Sequence, residues 1–223
     1  MRRPIYASKL VNLLGSWDPA VKLTRQDFAE PLGVGFGMGD CLALHAALQT
    51  MPAADTAAPV GTEPQLLGDC ERVQAMLVAA AKRLLEPLDD DGSPTSFLPY
   101  HQRYLDWQRL VAVHIDPLCL RARELLCSVS PEMAQLAALD AVLGEALAVR
   151  EQKAWNTVAQ LLARRFEQHG LAHVDDAGDG PPEASLSAFR GDMHALALAE
   201  LDARMQVARG LAASVDSSFT STQ

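Results

Sequence analysis

The sequence predicts an all-α fold, an elongated bundle of five or six helices with no sheet, and three observations carry that expectation. Bulky or apolar side chains recur at Tyr100, Tyr104, Trp107, Val111, Ile115, Leu118, Ala122, Leu125 and Val129, in gaps of four and three. That spacing averages close to the ~3.6 residues of a helical turn. Alanine and leucine are abundant and aromatics make up only 5% of the chain, a balance that favours helix over sheet. Finally, no segment shows the period-two alternation of a half-buried strand.

The elements follow in order. A first helix is expected over 6–14, ending at Gly15, with Trp17-Asp18-Pro19 as a turn. Thr24 is a sound N-cap for a second helix carrying Phe28 and Leu32, with Asp27 favouring its dipole. Glycines alternate over 33–39, which reads as a hinge, and Asp40 is the expected N-cap of a helix over 42–48. Residues 51–64 hold three prolines and few apolar groups, so they read as a flexible linker. The next helix covers 66–88, with Val73, Leu77, Ala80, Leu84 and Leu88 on one side, and 89–94 (Asp-Asp-Asp-Gly-Ser-Pro) stops it.

The long stretch from 97 to 169 divides into two helices. Pro117 removes a backbone donor, yet the stripe keeps its phase across it, which predicts a kinked helix and not a break. Ser130-Pro131-Glu132 is a restart: N-cap serine, proline at the first helical position, acidic first turn. A second stripe then runs through Leu136, Leu139, Leu143 and Leu147, and on through Trp155, Val158, Leu162 and Phe166 to Gly170. A loop is expected over 171–182, a last helix over 186–213, and a frayed polar tail over 214–223. The chain therefore reads as a single helical domain over 1–213.

Charge and composition narrow the function. The net charge is −9. Residues 97–170 hold eight basic and eight acidic side chains, so the acidic excess lies in the flanks. A neutral core between acidic segments argues against nucleic-acid binding, which needs a basic face to displace counterions. No apolar run approaches the roughly 18 residues of a membrane span, so an integral membrane protein is not expected. The segment after Arg2 and Arg3 is too short and too polar for an export signal, which makes the cytoplasm the expected location. Cys41, Cys70, Cys119 and Cys127 follow no C-x-x-C spacing and read as reduced, buried hydrophobes.

Motifs that would carry chemistry are incomplete. The glycines over 33–39 miss the G-x-G-x-x-G register, with no preceding strand and no following P-loop lysine. Asp89-Asp90-Asp91-Gly92 lacks the ligand spacing of a calcium loop. Cys41 and His45 stand four apart, as two metal ligands on one helix face would, but two ligands are half a site. A buried cysteine and a hydrogen-bonded histidine are the simpler expectation. No catalytic residue, cofactor site or metal site is assigned. Tyr100, Arg103, Tyr104 and Trp107, with the arginines Arg121 and Arg123, form a candidate partner surface, since Tyr, Trp and Arg dominate binding hot spots. Core packing is the stronger reading of the three aromatics because they begin a stripe. For Arg121 and Arg123 the simpler role is ion pairing with nearby Asp116 and Glu124.

Several segments together resemble a known family. They are 97–123 with Tyr100-His101-Gln102-Arg103-Tyr104, 130–150 with Leu136-Ala137-Ala138-Leu139-Asp140, and 196–215 with Ala199-Glu200-Leu201-Asp202-Ala203-Arg204-Met205. With Phe28-Ala29-Glu30 and 42–48, the chain resembles a proteobacterial family of functionally uncharacterised, mainly helical proteins, a domain of unknown function. The resemblance covers most of the chain outside the linker and tail, and implies helix where this chain has its glycines over 33–39. It also implies a cytoplasmic accessory to a membrane assembly, beside OmpA-like and proton-channel-like proteins. It carries no catalytic residue.

The expected function is a non-enzymatic helical adaptor that acts through contacts with a protein partner, with homo-oligomerisation a further expectation. The alternative is an enzyme or ligand-binding bundle with a site between helices, for which His114, Asp140 and His194 would converge.

Overall fold

The structure, a computed structural model, describes residues 9–18, 37–50, 65–88, 96–171 and 183–220, and every regular element among them is helical. Six α-helices appear: α1 (Lys9–Trp17), α2 (Met38–Gln49), α3 (Leu66–Ala81), α4 (Leu98–Val129), α5 (Pro131–Gln168) and α6 (Glu183–Thr220). A 3₁₀ turn (Lys82–Leu85) follows α3. This is an all-α helical bundle, as the apolar spacing predicts. The expected helix around Phe28 and Leu32, the first glycines of 33–39, the linker 51–64, the stop at 89–94, and the loop 172–182 lie outside the described residues.

Local chemistry accounts for the helix ends. Helix α1 passes Gly15, where the sequence stops it, and ends at Trp17. Leu14 and Trp17 are both buried, and the Arg165 guanidinium lies 5.8 Å over the Trp17 ring, so packing holds the last turn. Helix α2 begins earlier than expected: Gly37 is its N-cap, while Asp40 sits at the third helical position and accepts a hydrogen bond from the Gly37 N–H at 2.8 Å. This is one half of a capping box, since glycine has no side chain to return the bond. The last α-helical residue of α3 is Ala81, not Leu88. Arg103 donates to the carbonyls of Arg83, Glu86 and Pro87, at 3.2, 2.7 and 3.3 Å, and so satisfies the chain where it leaves the helix.

Helix α4 runs unbroken through Pro117. The carbonyl that proline leaves without its donor belongs to Val113, a residue 67% exposed, so water can take the bond. Ser130 caps α5 as expected: its Oγ accepts from the Met133 N–H at 3.3 Å, and its carbonyl from the Ala134 N–H at 2.9 Å. At the far end Gly170 adopts φ +73°. The Gly170 and Leu171 N–H groups bond back to the carbonyls of Glu167 and Phe166, which is a Schellman cap with buried Phe166 and Leu171 as its apolar pair. Helix α6 extends three residues before 186 and continues to Thr220, so the tail up to that residue is helical and not frayed. Buried Val215 anchors it.

The chain forms two compact units, each assembled from several segments. The first comprises 1–22, 73–114 and 155–204. Its core is aromatic: Tyr100, Phe166 and Phe189 form a closed triangle with ring centroids 5.1 to 5.7 Å apart, and two of the three contacts are edge-to-face. That is a preferred geometry for ring pairs. The second comprises 23–72, 115–154 and 205–223. Its buried side chains include Ala122, Ala134, Ala137, Ala208 and Ala212, with Leu66, Leu126 and Met205, and among the described residues none is aromatic.

The second predicted stripe needs correction here. Leu136 and Leu143 are 37% and 39% exposed, whereas Ala134 and Ala137 are buried. The inward face of the first part of α5 is set by its alanines, because small side chains let helix backbones come close, whereas Val158, Leu162 and Phe166 further along are buried as the stripe predicts.

Candidate functional site

The six residues of the candidate partner surface go to different places. Tyr100, Tyr104 and Trp107 are at most 4% exposed, so they are core and offer no surface in the folded chain. Their helical stripe stays buried through Val111, Ile115 and Ala122, with Leu118, Leu125 and Val129 half-buried, which is why the packing reading prevails. Arg103 caps the turn after α3, as described above. Arg121 pairs with Asp69 at 3.1 Å, and Arg123 with Asp140 at 2.7 Å. The partners expected from sequence, Asp116 and Glu124, are replaced by carboxylates distant in the chain, which sequence spacing cannot reveal.

Of the residues of the alternative ligand site, His114 and Asp140 have partners of their own. His114 Nδ1 lies 2.9 Å from the Leu110 carbonyl of its own helix. Asp140 holds Arg123. His194 has its imidazole pushed below the usual range, first by burial and then by the charge of Lys82.

A polar cluster in the first unit escaped the sequence reading. Glu200, fully buried on α6, accepts from the Tyr104 hydroxyl at 2.6 Å, from Gln108 at 3.3 Å, and from Arg204 at 2.7 Å. The Arg204 guanidinium lies 4.4 Å over the Trp155 ring. Burial raises the Tyr104 hydroxyl well above the ordinary tyrosine pKa, and the neighbouring Glu200 charge raises it further. The signal was available in principle: Glu200 falls on the apolar stripe of Met193, Leu196 and Ala197. A carboxylate there must be paired. These bonds tie α4 to α6, so the cluster reads as a structural lock, although the Arg204 Nε is buried without a hydrogen-bond partner among the described residues.

A groove of about 450 Å³ in the same unit is lined mainly by apolar side chains, among them Leu13, Val78 and Leu198. The Lys9–Asp202 ion pair, 3.5 Å long, lies on its wall. Among the described residues no three His, Cys, Asp or Glu side chains are grouped to hold a metal ion.

Helix α2, in the second unit, is different in kind. It buries none of its residues. Only Asp40, Leu44 and Ala47 are partly covered, and on a helical projection they share one side. The opposite side carries Met38 and Leu42, and Leu48 lies on its flank; the three are 81%, 62% and 56% exposed. Cys41, His45 and Gln49 complete this outward face, all three exposed. It has no charged group. The expectation of a buried Cys41 and a hydrogen-bonded core histidine is therefore corrected: the helix rests on its other side. The Gln135 amide of α5 holds it there by donating to the Leu48 carbonyl at 2.8 Å, within reach of those of Ala47 and Thr50. The other cysteines are free thiols, Cys70 buried and Cys119 and Cys127 half-buried. Burial pushes Cys119 up to about 11 despite the opposing charge of Arg123.

The described residues form an all-α chain that turns an uncharged, largely apolar helix face outward. A family described as "Protein of unknown function (DUF3348)" has a model that matches residues 1–217, and the chain belongs to that family. No curated protein and no solved structure matches it.

Proposed function

We propose that the protein is a non-enzymatic helical adaptor that works through protein–protein contacts, with the outward face of α2 as its docking surface. One observation carries this reading: a surface helix exposes Met38, Leu42 and Leu48 on a side that has no charge. Surface helices normally turn their polar side to water. Covering those three side chains would contribute about 1.5–3 kcal/mol each if fully buried, a gain the isolated chain forgoes. The location that completes the reading is the cytoplasmic side of a bacterial membrane assembly. No helix among the described residues is long and apolar enough to cross a membrane. An adaptor of this kind would join such an assembly by docking, and the family resemblance supports that setting.

The test is cross-linking and affinity capture from the native host with the wild-type chain and with a Leu42→Asp/Leu48→Asp double variant. The expected result is a defined set of membrane-associated proteins that the wild type recovers and the variant loses. Recovery of the same set by both, or of none by the wild type, would overturn the reading.

A further inference from the structure

On the α2 face, Cys41 and His45 lie one helical turn apart, and both are exposed. Residues four apart on a helix stand about 6 Å apart along its axis and on one side of it, so a thiolate and an imidazole can reach one ion there. They make two of the four ligands of a tetrahedral site. No described His, Cys, Asp or Glu of the same chain is grouped with them to supply the rest. A second copy of the chain, related by a twofold axis that crosses the outward face of α2, supplies the same pair again. Twofold contacts are self-complementary, so each residue needed on one side is present on the other.

We propose that α2 is a zinc-dependent homodimerisation element, with Cys41 and His45 of two chains forming one Cys₂His₂ site. This rests on the reading of α2 as a docking surface: with zinc bound the face takes a second copy, and without zinc it is free for another partner. Three features favour that occupant. Met38, Leu42 and Leu48 flank the pair on the same face, so two helices brought together around the ion cover each other's apolar side chains. The chain carries a net charge of −9. Two copies therefore repel at long range, and the uncharged outward side of α2 is where that repulsion opposes contact least. Zn²⁺ with two thiolates and two neutral imidazoles is itself neutral, so the site adds no charge to that interface.

Size accounts for the dependence on metal. A helix of 12 residues is about 18 Å long, and a contact of that length falls well short of the roughly 1,200 Å² that a stable interface buries. The apolar contact alone leaves the chains apart, and the ion decides. On binding, each Cys41 S–H bond breaks, a sulfur–zinc bond forms and the proton goes to solvent, with no change of oxidation state. Affinity for zinc accordingly falls as pH falls.

Sedimentation velocity of the full chain, in a phosphine reductant and with zinc titrated, tests the proposal. The expected result is a shift from 24.0 kDa to twice that mass, saturating at one zinc per two chains and reversed by a chelator. Cobalt in place of zinc should give the absorption of a tetrahedral thiolate site. Both signals should disappear in Cys41→Ser and weaken at least tenfold in His45→Gln, with the circular dichroism of each variant unchanged. A mass that zinc does not alter, or a zinc dimer that survives Cys41→Ser, would overturn it, as would one zinc bound per monomer. A dimer found only without reductant would mean a Cys41 disulfide and would overturn it too. Failure here is separable from failure of the adaptor reading, because partner capture through Leu42 and Leu48 needs no metal.

Discussion

Glu200 exposes none of its side chain and accepts hydrogen bonds from Tyr104, Gln108 and Arg204. Removing one donor leaves a buried carboxylate less well satisfied. Tyr104→Phe is therefore expected to destabilise the protein by about 1.5–3 kcal/mol, the range for a hydrogen bond to a charged group, read from urea midpoints at neutral pH. A second prediction at this scale concerns alkali. Burial raises Cys119 from 9.0 to about 11 in the folded chain. The unfolded chain thus loses this proton first as pH rises. The stability Cys119 contributes is complete below about pH 9, declines between pH 9 and 11, and is gone above. Cys119→Ala should flatten the stability profile in that window and leave its slope below pH 8 unchanged. A profile identical to wild type from pH 9 to 11 would contradict the assignment. Neither residue announces its role in sequence. Tyr104 reads correctly as core, but its carboxylate partner lies 96 positions away.

At the scale of elements, ends set by local chemistry were legible and faces set by packing were less so. Ser130-Pro131-Glu132 begins α5 as expected because the capping bond needs only residues within one turn. Gly170 closes it because a left-handed residue is needed and glycine takes that conformation without a Cβ clash. The inward face of the first part of α5 was misread, since leucine outranks alanine in any scale of hydrophobicity while helix approach favours the alanines; further along, Val158, Leu162 and Phe166 read correctly as core. Helix α1 was cut short for a related reason: Gly15 is a stop signal that the burial of Trp17 overrides. Pro117 offers an element-scale prediction. It is exposed on α4, so replacing it costs no core packing. Pro117→Ala restores the bond from residue 117 to the Val113 carbonyl, and it should stabilise the protein by about 1–3 kcal/mol. Thermal and urea unfolding both check this, and a fall in stability would show that the proline is needed for the path of the helix.

For the whole molecule, the proposed docking residues lie outside the buried core. Leu42 and Leu48 are 62% and 56% exposed. The Leu42→Asp/Leu48→Asp variant should therefore unfold within about 0.5 kcal/mol of wild type, as surface substitutions do, while losing its partners. A large loss of stability would place α2 in the core instead. The sequence by itself determined the all-α class, the boundary between α4 and α5 and the inward aromatic stripe of α4. All of these depend on period, capping and spacing, which are properties of neighbours along the chain. Tertiary structure alone decided that Glu200 is buried and paired, that Arg121 and Arg123 bind Asp69 and Asp140, and that Cys41 and His45 face outward. A helix with apolar residues nearly all round has no preferred side of its own. Which side of α2 meets the protein is fixed by partners such as Gln135, 87 residues away from Leu48, and no local pattern encodes that choice.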